Sequence, residues 1–213
     1  VKYYRDEGKF KKLNSDDYDA YWIPFGFDGM VKLNEIHKPL LTSSYVFIGS
    51  PDKKRADILD RISLRHDNIF VFGGNEWNNY LKIRPVLKNR FTGESLKGNE
   101  YISVTKDSYG SINLLRPHNL IEESHNMRTM EVCGYGGFLI SERTKEQQEL
   151  FEEDREAIYF SDMKELEDKL NFYRKKVSIV KKVKKAAREK AVRNSYDYLS
   201  HAKKIIEIVN KLV

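Results

Sequence analysis

Short β-prone apolar runs that stop at glycine, each followed by a stretch of helical periodicity, restrict this chain's fold more than any other feature. Tyr45-Val46-Phe47-Ile48 ends in Gly49-Ser50-Pro51, and Asn68-Ile69-Phe70-Val71-Phe72 ends in Gly73-Gly74. Between them Ala56, Leu59 and Ile62, with Ile58 beside them, recur at helical spacing through about Leu64, and Asp52 stands at the capping position. Ile112-Asn113-Leu114-Leu115, Phe138-Leu139-Ile140-Ser141 and Glu156-Ala157-Ile158-Tyr159-Phe160 read as further strands. Met127 to Cys133 predicts a turn or two of helix, Ser161 or Asp162 caps a helix through Leu170, and two more helices follow, the last from about Ser195 to Val213. Buried strands alternating with amphipathic helices, without consistent hairpin turns, predict a parallel sheet covered on both faces. The expected fold class is α/β.

Such sheets bind ligands in the crevice beyond the carboxyl ends of their strands. Gly49-Ser50 and Gly73-Gly74 fall there; Gly134-Tyr135-Gly136-Gly137 lies between a helix and a strand and needs separate justification. Lys53, Lys54 and Arg55 occupy the first turn after Gly49, where cations oppose the helix dipole. The pattern points either to a compensating anion, such as a diphosphate, or to a solvated basic turn. Glu131 can accept both hydroxyls of a ribose, and Arg128, one turn earlier, either pairs with it or reaches a phosphate; the plainer alternative is a salt bridge beside a helix stop. Trp77 and Tyr135 suit stacking on a base or sugar, and equally suit the core.

The net charge of +6 fits a polyanionic ligand, a nucleic acid or a membrane surface alike. The chain shows no nucleic-acid-binding motif, so no nucleic-acid partner is expected. Cys133 is the single cysteine, which allows a reducing, cytoplasmic setting, and it reads as a small core residue. No apolar run approaches the roughly 20 residues that span a bilayer. The sequence opens on Val1 without an apolar signal segment and reads as a chain taken up partway along. His37, His66, His118, His125 and His201 lack the spacing of a structural zinc site, and no metal site is expected. The basic stretch Arg174 to Arg193 turns Val177, Val180, Lys184 and Ala187 to one side. It is either a solvated helix face or a peripheral contact to an anionic membrane.

Taken in order, several segments resemble the CgeB-like (spore-maturation-type) group 1 glycosyltransferases. They are Ile112-Asn113-Leu114-Leu115-Arg116, Arg128-Thr129-Met130-Glu131, Cys133-Gly134-Tyr135-Gly136-Gly137-Phe138-Leu139-Ile140, Glu142-Arg143-Thr144, Leu150-Phe151-Glu152 and Glu156-Ala157-Ile158-Tyr159-Phe160. Upstream, Trp22-Ile23-Pro24-Phe25-Gly26-Phe27-Asp28, Val46-Phe47-Ile48-Gly49-Ser50 with Arg55, and Gly73-Gly74-Asn75-Glu76-Trp77 extend the likeness. The resemblance implies a Rossmann-like donor domain, the C-terminal half of a two-domain GT-B glycosyltransferase. It implies a nucleotide diphosphate sugar as donor, an unknown acceptor, no cofactor or metal, a hexosyltransferase-like reaction and retention of configuration. Gly49, Ser50, Arg55, Gly73, Gly74, Arg128, Glu131, Gly136 and Gly137 are then expected at the donor, with Glu131 on the ribose. Glu123, separated from Glu131 by seven intervening residues, is expected near the transferred sugar as the catalytic carboxylate. Residues 1–44 lead into the domain, 45–194 form it, and 195–213 are a helix packing on it or toward a missing N-terminal acceptor domain. Asp17-Tyr18-Asp19 matches the acidic metal-binding pair of the other large transferase fold; with no clear strand before it, it reads as a solvated turn. The alternative function is a non-catalytic nucleotide-binding or interaction module.

Overall fold

The structure is a computed structural model, describing residues 12–14, 19–31 and 41–211. Asp17, Tyr18 and His37 lie outside the described residues.

Strands β1 (Lys12–Asn14) and β2 (Asp19–Tyr21) pair antiparallel. The main sheet is five-stranded and wholly parallel: β3 (Tyr45–Ile48), β4 (Ile69–Phe72), β5 (Gly110–Asn113), β6 (Leu139–Glu142) and β7 (Ile158–Phe160), in the order β4-β3-β5-β6-β7. Phe91 bridges Val71 in parallel on the outer side of β4. Counting that bridge as a one-residue strand, the order in chain terms is 3-2-1-4-5-6, the doubly wound Rossmann arrangement. The winding direction reverses between β3 and β5.

Strand alternation fills both faces. Tyr45, Phe47, Ile140, Ile158 and Phe160 pack with helices α1 (Lys53–Ser63) and α8 (Met163–Tyr173). Leu139 and Tyr159 face the other way, onto α6 (Met127–Tyr135), and Val46 onto α4 (Gly98–Asp107). Helix α9 (Val177–Arg193) contributes Val180 and Val183 to the first face and Ala187 and Ala191 to the second. Val177, expected on the inner stripe, is half exposed, because the inward row starts one turn later. Short helices α2 (Asn78–Leu81), α3 (Pro85–Lys88), α5 (Pro117–Ile121) and α7 (Lys145–Leu150) fill the connections. The last helix, α10 (Tyr198–Val209), buries only His201. Among the described residues, no helix is long and apolar enough to cross a membrane.

β5 begins two residues earlier than the apolar run Ile112–Leu115 predicts. A Cβ at Gly110 would lie 2.9 Å from Phe138 and 3.1 Å from Tyr45, so only glycine lets the strand start there. Leu114 and Leu115 are fully buried yet outside the ladder, because side chains take their backbone groups. Arg55 donates to the Leu114 carbonyl, Lys54 to the Leu115 carbonyl, and Leu115 N–H donates to Glu142.

Lys184 reaches inward from α9 and donates to the carbonyls of Lys106 (3.0 Å) and Ser108 (2.7 Å), satisfying the C-terminus of α4. Burial pulls its ammonium pKa down to about 8 against the pull of Asp107. Below pH 8 the lysine is charged in both the folded and unfolded chain, and the burial penalty is full. Between pH 8 and the ordinary value of 10.5 the unfolded chain binds the extra proton, so this group makes stability rise with pH. The stability difference between wild type and Lys184→Met, followed by urea unfolding, is expected to be flat up to pH 7.5 and to shift toward wild type through that window.

Candidate functional site

A crevice of about 360 Å³ opens at the switch point between the carboxyl ends of β3 and β5. Among the described residues its lining holds Arg55, Arg116, Arg128 and His118, and no aspartate or glutamate. A second lobe of about 210 Å³ extends over the end of β4, lined by Gly73, Gly74, Glu76, Ser95 and Leu96, and shares Ile48, Gly49, Ser50 and Arg128 with the first.

Helix α6 points its N-terminus into the larger lobe through Asn126, Met127 and Arg128. Asn126 occupies the N-cap position but makes no side-chain cap bond. Its amide is paired reciprocally with that of Asn113, at 3.0 and 3.1 Å. The first-turn amides of α6 are therefore left without a side-chain cap, beside two arginines. Phe25 forms the outer wall; its N–H donates to His125 Nε2 at 3.1 Å, while His125 Nδ1 lies 3.0 Å from the buried Glu146 carboxylate. A ring nitrogen that accepts from an amide carries no proton, so the Nδ1 tautomer faces Glu146.

The sequence-predicted residues fall into three groups. Gly49, Ser50, Gly73, Gly74 and Arg128 line the crevice with groups turned toward it. At Gly73 a Cβ would meet the Trp77 indole at 2.2 Å, so glycine is required there. Arg128 is pinned by its Nε to the Ile48 carbonyl (2.9 Å) and by Nη1 to the Tyr101 hydroxyl (2.6 Å). Glu131 stands just behind it, accepting from Tyr101 at 2.6 Å, and lines neither lobe itself.

The second group borders the crevice but is engaged internally. Arg55 is buried and donates to Leu114 O through Nε (3.0 Å) and Nη2 (2.7 Å) and to Ser50 O through Nη1 (3.1 Å). Burial lowers the pKa of its guanidinium, with Asp52 opposing. It braces β3 against β5. The anion expected to offset the basic first turn of α1 comes from the chain: Asp57 pairs with Lys53 (2.7 Å), Glu142 with Lys54 (2.5 Å) and Asp52 with Arg55 (3.4 Å). Asp52 also caps α1 as expected.

The third group lies away from the crevice. Gly136 and Gly137 precede β6, at the amino ends of the strands and so on the side of the sheet away from the crevice. Gly136 takes the left-handed conformation that ends α6 (φ 79°), and both N–H groups bond back to its last carbonyls. A Cβ at Gly137 would lie 2.7 Å from Thr105 O. These glycines therefore terminate and pack a helix, and their amides are not offered to a ligand. Glu123 is exposed, with φ 53°, and caps α7: its carboxylate accepts Lys145 N–H (2.9 Å) and its carbonyl accepts Glu146 N–H (3.2 Å). Trp77 and Tyr135 are core residues, and Cys133 is wholly buried, its thiol pKa raised by burial.

Sequence reasoning assigned no role to Asn126 or Tyr101, and named Arg116 only as part of a motif. Arg116 follows an apolar strand run directly, the signal that would have placed it. Tyr101 carries no local signal, since its partners come from another helix.

This architecture defines a class, the Rossmann-like C-terminal domain of GT-B glycosyltransferases. The chain belongs to the glycosyl transferase-like family, whose sequence model matches residues 54–207. Sucrose-phosphate synthase from Thermosynechococcus elongatus superposes with a TM-score of 0.65 at 13% identity, over 89% of this chain and 52% of that one. Alr3699/HepE from Anabaena, solved with UDP-glucose, gives 0.66 at 12% identity, over 87% and 56%. The trehalose-6-phosphate synthase OtsA gives 0.59 at 10% identity, over 96% and 56%. The chain thus spans about half the length of these solved structures. No curated protein matches it in sequence.

Proposed function

We propose that this chain is the donor-binding half of a glycosyltransferase, which holds a nucleotide diphosphate sugar in the switch-point crevice for transfer to an acceptor. The observation that carries the reading is the convergence of Arg116, Arg128 and the uncapped start of α6 on a lobe without a carboxylate. A diphosphate leaving group gains negative charge as the glycosidic bond breaks. The Arg128 guanidinium, held by Ile48 O and the Tyr101 hydroxyl, and the helix amides beside it stabilise that charge with little reorganisation, and the exposed Arg116 adds positive charge. They also supply the positive charge this reading needs without a metal.

The smaller lobe, with Gly73, Gly74 and the apolar Leu96, suits the nucleoside, and Glu131 sits one layer behind Arg128 for the ribose. UDP-glucose bound to Alr3699/HepE makes UDP-sugars the first donors to try. The likeness to CgeB-like enzymes favours hexosyl transfer with retention. Glu123 would have to release the first turn of α7 before it reached a sugar. An acceptor-binding half is proposed for the length by which this chain falls short of its structural neighbours.

The test is calorimetric titration of UDP-, GDP-, dTDP- and ADP-sugars into wild type and a folded Glu131→Ala variant. Saturable binding of one nucleotide class, weakened about tenfold in the variant, is expected. Folded wild type that binds none of them overturns the reading in favour of a fold kept without donor binding.

A further inference from the structure

We propose that Tyr101 is a positioning residue of this site, whose part-buried hydroxyl couples Glu131 to Arg128 and so fixes the guanidinium that faces the crevice. The inference rests on the donor-binding reading above. Tyr101 comes from α4, outside the glycine-marked strand ends and the Arg128–Glu131 segment. Its hydroxyl donates to Glu131 Oε2 at 2.6 Å and accepts from Arg128 Nη1 at 2.6 Å. The direct Arg128–Glu131 approach is 3.4 Å, at the long limit for such a bond. The carboxylate therefore acts on the arginine mainly through the phenol.

The Tyr101 ring adds a second restraint, lying 4.9 Å from the Arg128 guanidinium carbon. With Nε held by Ile48 O, two of the three guanidinium nitrogens are engaged. Nη2 stands 3.8 Å from where a Cβ at Gly49 would be, on the floor shared by both lobes. An arginine that is ordered before the ligand arrives loses less rotamer freedom on binding an anion. Burial raises the phenol pKa, so the hydroxyl keeps its proton and can donate to Glu131 while accepting from Arg128.

Tyr101→Phe removes the hydroxyl and keeps the ring, including its edge contact with Tyr135. The probes are UDP and inorganic pyrophosphate, the second lacking any ribose or base. Tyr101→Phe is expected to weaken both about tenfold, and less than twofold when Arg128 is already alanine. A purely structural role would not give that dependence on Arg128. Should Tyr101→Phe unfold at the assay temperature, Glu131→Gln with pyrophosphate reports on the same relay, because that probe has no ribose for Glu131 to touch. Unchanged binding in the folded variant overturns the inference and leaves the donor reading standing, as does equal weakening in both Arg128 backgrounds. Wild type that binds neither probe overturns the donor reading, and this inference with it.

Discussion

Arg128→Ala is expected to weaken nucleotide diphosphate binding by about 100-fold or more, while the domain stays folded. The guanidinium lies at the junction of the two lobes, so no donor can bridge them without passing it. A charge-assisted bond to a phosphate in a partly desolvated crevice contributes about 2–3 kcal/mol, and a bidentate contact more. The structural loss is smaller, because Arg128 is only part-buried and makes one backbone bond, to Ile48 O. Arg128→Lys should recover little: an ammonium cannot serve the Ile48 carbonyl, the Tyr101 hydroxyl and a phosphate in the same plane. Calorimetry with UDP alongside a thermal melt separates the two effects. An Arg128→Ala protein that binds within threefold of wild type would show that the crevice is not the donor site.

Arg55→Met should show the opposite pattern, a loss of about 3 kcal/mol of folding stability with binding reduced only as a consequence. Three of its N–H groups bond to the carbonyls of Ser50 and Leu114, which lie just past the ends of β3 and β5. Methionine fills much of the volume but leaves both carbonyls without that donor and Asp52 without its cation. Urea unfolding measures this directly. Unchanged stability with lost UDP affinity would instead make Arg55 a phosphate ligand, the role its place after Gly49-Ser50 first suggested.

These two arginines show where the sequence was legible and where it was not. Both follow a recognisable strand-and-glycine signal or family motif, and both border the crevice as expected. Their duties differ because the Arg55 side chain is turned beneath the switch point, where unpaired carbonyls outcompete a ligand. The same holds for glycine. Gly73 is where a glycine break marks a crevice, whereas Gly136 and Gly137 satisfy an equally glycine-rich pattern by stopping a helix at the amino ends of the strands. Glu123 has the spacing expected of a catalytic carboxylate, yet its carboxylate is engaged by the start of α7, a helix whose polar sequence carries no strong period.

Local pattern by itself determined the α/β class, the positions of the five main-sheet strands along the chain, the Asp52 cap and the strand ends at which a ligand would sit, though not α4 or the short helices α2, α3, α5 and α7. Each depends on residues within a few positions of one another, where period and backbone preference act directly. Tertiary structure alone decided which cations face the crevice and which are neutralised from behind. It also decided that Tyr101 meets Glu131 and Arg128, and that Phe25 is seated on His125. Those outcomes depend on contacts between residues 27 to 100 positions apart. A hydrogen-bonding group buried by such a contact takes whichever partner the packing brings near, and no spacing rule in the chain encodes that choice.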